Sequence, residues 1–269
     1  MTHPVSRRHA LRLLAAAGTA TLAHAVEPSS GFTFIAVNDL HFFDAECTPF
    51  FENVVALMKA SAPQAAFCLI AGDVANDGEA AQYTGLAPIL QKLGCPLHVV
   101  PGNHDHFSLN DRAHYDAAFP GSLNYTFTHG GWQFIGLDTT QGVEFDRTNV
   151  SPVTLDFLDA NIPKLDAHVP TFVFTHFPLA EGVEYRPLNA GAVLDRLAKL
   201  NLRATYSGHW HGLNEQHLRD ADLVTSRCCS RVRGNRDGSP LKGFWVCSAH
   251  PDGKLDRRFV ALPAPAATQ

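Results

Sequence analysis

Pro96-Leu97-His98-Val99-Val100-Pro101-Gly102-Asn103-His104-Asp105 reads as a short strand that breaks at a proline-glycine turn and delivers three polar side chains at its end. The same arrangement occurs twice upstream. Phe32-Thr33-Phe34-Ile35-Ala36-Val37 ends at Asn38-Asp39-Leu40-His41, and Ala66-Phe67-Cys68-Leu69-Ile70-Ala71 ends at Gly72-Asp73, with helical periodicity following near Pro49–Ala60 and Glu79–Leu93. Downstream it recurs in Thr171-Phe172-Val173-Phe174, which ends at Thr175-His176, and in Arg203-Ala204-Thr205-Tyr206, which ends at Ser207-Gly208-His209. Strands alternating with helices predict an α/β protein.

The remaining chain fits around this frame. Asn124–His129 and Trp132–Leu137 flank Gly130-Gly131 as a β-hairpin. Ser151-Pro152 opens a helix with Leu155, Leu158 and Ile162 on one face, cut short at Pro163. From Leu223 to Leu262 helical periodicity is absent, and antiparallel strands are expected. Every Asp, Asn or His cluster follows a strand, at the edge where open α/β sheets build their sites.

The 269 residues are 45% apolar and 17% charged, ordinary for a globular chain with a full core. Residues 1–25 are expected to be an export signal and 26–269 one catalytic domain. Ser6-Arg7-Arg8-His9-Ala10-Leu11-Arg12 precedes an apolar run from Leu13 to Leu22 and the cleavage-type Ala23-His24-Ala25. The paired arginines resemble a twin-arginine (Tat) signal, which implies the Tat machinery as partner and a periplasmic or secreted destination. The run is half the roughly 20 residues a membrane span requires, so no stable membrane insertion is expected. Removing residues 1–25 takes away Arg7, Arg8 and Arg12 and no acid, moving the net charge from −5 to −8, which disfavours nucleic acid as partner. Cys47, Cys68, Cys95, Cys228, Cys229 and Cys247 match no C-x-x-C pattern; export would make them disulfide candidates, with Cys68 read as core.

Asp39-x-His41, Gly72-Asp73, Gly102-Asn103-His104-Asp105, His176 and Gly208-His209-x-His211 together offer carboxylates, an amide oxygen and imidazoles. That mixed oxygen and nitrogen set suits Fe, Mn or Zn. In this order the blocks resemble the calcineurin-like metallophosphoesterases, whose pattern runs D-x-H, GD, GNH[DE], H, GHxH. The resemblance extends from Phe32 to the tail. Gly72-Asp73-Val74-Ala75-Asn76-Asp77-Gly78 and Phe174-Thr175-His176-Phe177-Pro178 are similar to the branch containing class III cyclic-nucleotide phosphodiesterases and glycerophosphodiesterases.

The resemblance implies a four-layer αββα sandwich of two mixed sheets flanked by helices, and a hydrolase of phosphate esters using two transition-metal ions. One ion would be held by Asp39, His41 and His211 and the other by Asn103, His176 and His209, with Asp73 bridging. A bridging carboxylate keeps two cations close enough to share a hydroxide and clamp a phosphoryl transfer, and the amide of Asn103 adds a ligand without charge. His104 would be the acid assisting the leaving group, and Asp105 would orient it or cap the following helix. In purple acid phosphatases a tyrosine stands three residues after GD; Asn76 stands there here, so a tyrosinate-bound ferric site is not expected.

Asn76, His106 and Phe107 are candidate substrate contacts; Arg231 and Arg233 are either contacts to a substrate phosphate or solvated surface residues, the commoner outcome for arginine. If the segment after Tyr206 is extended, His209 and His211 face one crevice and Trp210 faces away. A non-catalytic binding or scaffolding protein of the same fold is the alternative reading, and a mononuclear zinc hydrolase built on His209-x-His211 leaves the other blocks unexplained. The substrate class is open among cyclic nucleotides, glycerophosphodiesters, phosphomonoesters and phospholipid headgroups.

Overall fold

The computed structural model describes residues 31–263, so the expected export signal lies outside the described residues. Three strand-helix steps begin the chain: β1 (Phe32–Val37), α1 (Thr48–Ser61), β2 (Cys68–Ala71), α2 (Ala80–Gln91), β3 (Leu97–Val100) and α3 (Ala113–Ala118). The hairpin β4 (Tyr125–His129) and β5 (Trp132–Leu137) follows, turning on Gly130-Gly131. Next come α4 (Pro152–Asn161), β6 (Pro170–Thr175), α5 (Ala190–Leu197) and β7 (Asn201–Ser207). Two further hairpins, β8 (Asn214–Leu218) with β9 (Ala221–Thr225) and β10 (Gly243–Ala249) with β11 (Leu255–Ala261), complete the described fold.

These strands make two mixed sheets, ordered β11-β10-β1-β2-β3 and β4-β5-β6-β7-β9-β8. Strand alternation determines what fills each layer. In β1, Ile35 and Val37 point to the helix side, where they join Val54 and Met58 of α1 and Leu86 and Leu90 of α2. Phe34 and Ala36 point the other way, into a layer between the sheets shared with Phe134, Phe172, Tyr206 and Trp245. The second sheet repeats the scheme, sending Ile135 and Val173 outward against Leu158 of α4 and Val193 and Leu197 of α5. The result is the four-layer αββα sandwich.

Local chemistry fixes the element ends. Ser151 caps α4 by accepting the Thr154 N–H at 3.3 Å, with Pro152 in the first turn where its missing N–H costs nothing. Pro163 sits in a separate 3-10 turn, Ile162–Lys164, and ends the regular helix. Two expectations need correction. The tail is antiparallel as expected in β10 and β11 of the first sheet, but β9, antiparallel to β8, also lies parallel to β7 in the second, so the tail strands are not one set. Residues 226–242 between them form a loop that crosses to the site. The six cysteines, all among the described residues, are free thiols, and five of them are buried. No helix of the described residues is long and apolar enough to cross a membrane.

Parallel strands β1, β2 and β3 of one sheet and β5, β6 and β7 of the other leave their C-terminal ends at one side of the sandwich. Pairing continues past the strands: Asp39 N–H donates to Gly72 O at 3.1 Å, His41 N–H to Asp73 O at 2.9 Å, and Gly208 N–H to His176 O at 3.0 Å. The polar blocks are thereby tied together by backbone before any side chain contributes.

Candidate metal centre

Asp39, His41, Asp73, His209 and His211 have left-handed backbone, with φ between 46° and 65°. Among the described residues only three other non-glycine positions do so. The left-handed region costs an ordinary residue roughly 1–2 kcal/mol, so this clustering stores backbone strain at one place. It also corrects the expectation for Gly208-His209-Trp210-His211. The segment is not extended; successive turns of the backbone aim both imidazoles inward, while Trp210 donates its indole N–H to Glu184 at 3.2 Å.

Glycine is required where backbone runs against a carboxylate. A Cβ on Gly102 would collide with Asp73 Oδ1, and one on Gly208 with Asp39 Oδ2. This gives a physical reason for glycine before Asn103 and before His209.

The side chains converge as two groups sharing one residue. Donor atoms of Asp39, His41, Asp73 and His211 lie within 4.8 Å of one another, as do those of Asp73, His176 and His209. In the first group His41 Nε2 lies 3.2 Å from His211 Nε2 and 3.4 Å from Asp73 Oδ2, and His211 Nε2 lies 3.2 Å from Asp39 Oδ1. In the second, His176 Nε2 stands 3.3 Å from Asp73 Oδ1, 3.2 Å from Asn103 Oδ1 and 3.2 Å from His209 Nδ1. All seven expected ligand residues therefore meet, and Asp73 faces both groups.

The outer nitrogens explain which atoms face inward. His176 Nδ1 bonds Ala71 O at 3.0 Å, His209 Nε2 bonds Phe145 O at 2.8 Å, and His211 Nδ1 bonds Gly234 O at 3.2 Å. A carbonyl accepts only, so each of these nitrogens carries a proton and the inward nitrogen of a neutral ring carries a lone pair. Lone pairs facing lone pairs and two buried carboxylates, Asp39 and Asp73, form a donor set that repels itself unless positive charge sits among it.

The titration of the groups shows the same demand. Burial lowers an imidazole pKa, and it takes His209 down to about 3 and His41 well below the usual range. In His211 and His176 desolvation is outweighed by Asp39 and Asp73 respectively, which push them up to about 11 and about 9. The site thus favours cationic charge at two places, and the residues present fit two metal ions.

A network behind Asp39 orients it. Tyr206 donates to Asn38 Oδ1 at 2.5 Å, Asn38 donates to Asp39 Oδ2 at 2.5 Å, and His209 N–H donates to the same carboxylate at 3.0 Å. Asn38 and Tyr206 were not singled out from sequence, although Asn38 directly precedes the D-x-H block.

His104 lines the adjoining cavity, of about 670 Å³. Its N–H donates to Asp73 Oδ1 at 2.9 Å, and its Nδ1 bonds Asn76 O at 2.6 Å. Asp105 does not orient it. The fully buried Asp105 carboxylate instead accepts N–H groups of Val74, Ala75 and Gly102 at 3.2, 3.0 and 2.9 Å and the Tyr83 hydroxyl at 3.0 Å. Nor does it cap a helix, since Arg112 precedes α3. Its role is to clamp the Gly72-Asp73 and Gly102-Asn103 loops together. The carbonyl of Asn76 holds the His104 ring in its place.

Asn76, His106 and Phe107 line the same cavity, as do Phe145 and Tyr185. Arg231 fits its surface reading, exposed and paired with Glu46 at 3.0 Å. Arg233 does not: it lines the cavity.

Comparison with known proteins agrees with this geometry. Residues 32–213 match the calcineurin-like phosphoesterase family. A probable cyclic nucleotide phosphodiesterase of Synechococcus sp. is 30% identical over 77% of this chain and 80% of its own length. A 3′,5′-cyclic-nucleotide phosphodiesterase of Nostoc sp. is 27% identical over 84% of this chain and 92% of its own. Among solved structures, a dimetal phosphatase from Danio rerio superposes with a TM-score of 0.65 at 16% identity, covering 85% of this chain and 95% of that one.

Proposed function

The chain belongs to the calcineurin-like phosphoesterase family, and from that premise we propose that it is a phosphodiesterase whose substrates include cyclic nucleotides. The observation that carries the reading is the pair of donor groups sharing Asp73, set at the floor of a cavity with both cationic and aromatic walls. The similarity to proteins named as a probable cyclic nucleotide phosphodiesterase and a 3′,5′-cyclic-nucleotide phosphodiesterase supports the substrate class.

Asp39, His41 and His211 would hold one metal ion and Asn103, His176 and His209 the other, with Asp73 shared; Fe, Mn and Zn all suit this ligand set. When bound, such a pair supplies charge neutralisation for phosphoryl oxygens and a source of hydroxide near neutral pH. The chain's own residues do the rest. His104, with its Nδ1–H held by the Asn76 carbonyl, keeps Nε2 for the substrate; as the imidazolium it carries a second proton on Nε2, gives that proton to the departing oxygen and is left as the neutral ring. Asp105 and Tyr83 keep the two loops at fixed separation, so that His104 and Asp73 keep their relative position. Phe107, Phe145 and Tyr185 in the cavity lining give a flat ester arm apolar surface to lie on. Residues 1–25 would export the protein to the periplasm or beyond.

A panel of phosphate esters, with protein reconstituted in Mn, Fe or Zn, tests the proposal. Adenosine 3′,5′-cyclic monophosphate and bis(p-nitrophenyl) phosphate are expected to give kcat/KM at least tenfold above p-nitrophenyl phosphate. A strict preference for the monoester would contradict the diesterase reading.

A further inference from the structure

We propose that Arg233 is a substrate-binding residue, its guanidinium receiving an anionic phosphoryl oxygen of the ester; this rests on the phosphoesterase reading and extends it to the loop 226–242. Three observations carry it.

The first concerns charge. Arg112, Arg196, Arg227, Arg231 and Arg257 each pair with a carboxylate. Arg233 has no such partner among the described residues, although it is half-buried in the wall of the cavity. Of the carboxylates lining that cavity, Asp73 belongs to the metal centre and Asp77 is occupied by Asn76 Nδ2 at 3.0 Å and Gln82 Nε2 at 3.1 Å. Once the centre carries its metal ions, an unpaired guanidinium beside it is repelled until an anion lies between them.

The second is orientation. Arg233 Nε donates to Asn76 Oδ1 at 3.0 Å, and among the described residues its two terminal nitrogens have no partner. One edge of the guanidinium is therefore anchored and the other is left for a ligand with two acceptor oxygens, which is the geometry of a phosphate. Asn76 also holds His104 through its carbonyl. One residue thus positions both the histidine and the arginine on the same wall.

The third is rigidity. Lys242 Nζ donates to the carbonyls of Ser230 and Arg233. Ser230 Oγ accepts the Arg233 N–H at 3.2 Å, and Asn235 ties Cys228 N to Leu241 O at 3.0 and 2.7 Å. The loop is joined to the metal centre as well: Arg236 N–H donates to His211 O at 2.9 Å, and His211 Nδ1 bonds Gly234 O at 3.2 Å. Arg233 is therefore held before substrate arrives, and little ordering entropy opposes binding.

Arg233→Gln and the control Arg231→Gln, on the same loop but outside the cavity, test the assignment. The measurements are KM for bis(p-nitrophenyl) phosphate, the affinity of metal-loaded protein for inorganic phosphate by calorimetry, and metal content. Loss of one charge-assisted contact is expected to weaken both affinities in Arg233→Gln about 10- to 100-fold, with metal content unchanged and Arg231→Gln like wild type. Equal phosphate affinity in the two variants would overturn the assignment, and so would a loss of metal from Arg233→Gln, which would place the arginine's effect in the centre itself. Calorimetry needs no turnover, so a wild-type protein that binds phosphate yet hydrolyses no ester would sink the phosphodiesterase reading alone.

Discussion

Asp73→Asn is expected to lose metal and activity together while keeping its fold. The substitution is nearly isosteric, so the backbone has no reason to move. The chemistry changes at both ends of the side chain. Asp73 Oδ1 faces the His104 N–H and His176 Nε2, and Oδ2 faces His41 Nε2. An amide nitrogen at the Oδ2 position would direct a donor at the lone pair of His41, and at the Oδ1 position it would oppose the His104 N–H. Either choice removes negative charge shared by both donor groups. Transition-state stabilisation by bound metal is worth several kcal/mol, so a fall in kcat of about 1000-fold or more is expected. Elemental analysis should show the metal content dropping in step, with far-UV circular dichroism unchanged. A variant that kept both metals and full turnover would remove Asp73 from its shared role.

His104→Ala is expected to separate the two properties. His104 donates its backbone N–H to Asp73, a bond alanine retains, and its ring packs edge-on against His41 with centroids 4.8 Å apart without being an expected ligand, so metal content should be that of the wild type. Loss of a proton donor costs roughly 100- to 10,000-fold in rate. The loss should be largest for alkoxide leaving groups and smallest for p-nitrophenolate, which departs without a proton. An equal loss across leaving groups would mean that the ring positions substrate and does not supply the proton.

Much of this site was legible in the sequence because its parts are local. Each block follows a strand, and a parallel sheet carries strand ends to one edge whatever the intervening helices contain. Gly102 and Gly208 stood out as members of those blocks, but that a carboxylate presses on the backbone at each is visible only in the fold. What sequence did not give were relations set by tertiary contact. Asp105 follows His104 in the chain, yet its carboxylate turns back toward Val74 and Ala75, because those buried N–H groups need an acceptor. His209-x-His211 alternates as a strand would, but left-handed backbone, and not extension, aims the rings. Arg233 had no local pattern to set it apart from Arg231. Only the loop's fold, stapled by Lys242, places one in the cavity and the other on the surface. The tail misled for a related reason: β9 reads like any short strand, and nothing near it in sequence shows that its parallel neighbour is β7.

The central claim is that two metal ions share Asp73 in one centre. Metal content of the purified wild-type chain, measured alongside diesterase activity during graded chelation, tests it most directly. The account predicts close to two transition-metal ions per chain at full activity, with activity lost as the average falls below two. Full activity at a steady value near one, or at none, would contradict it.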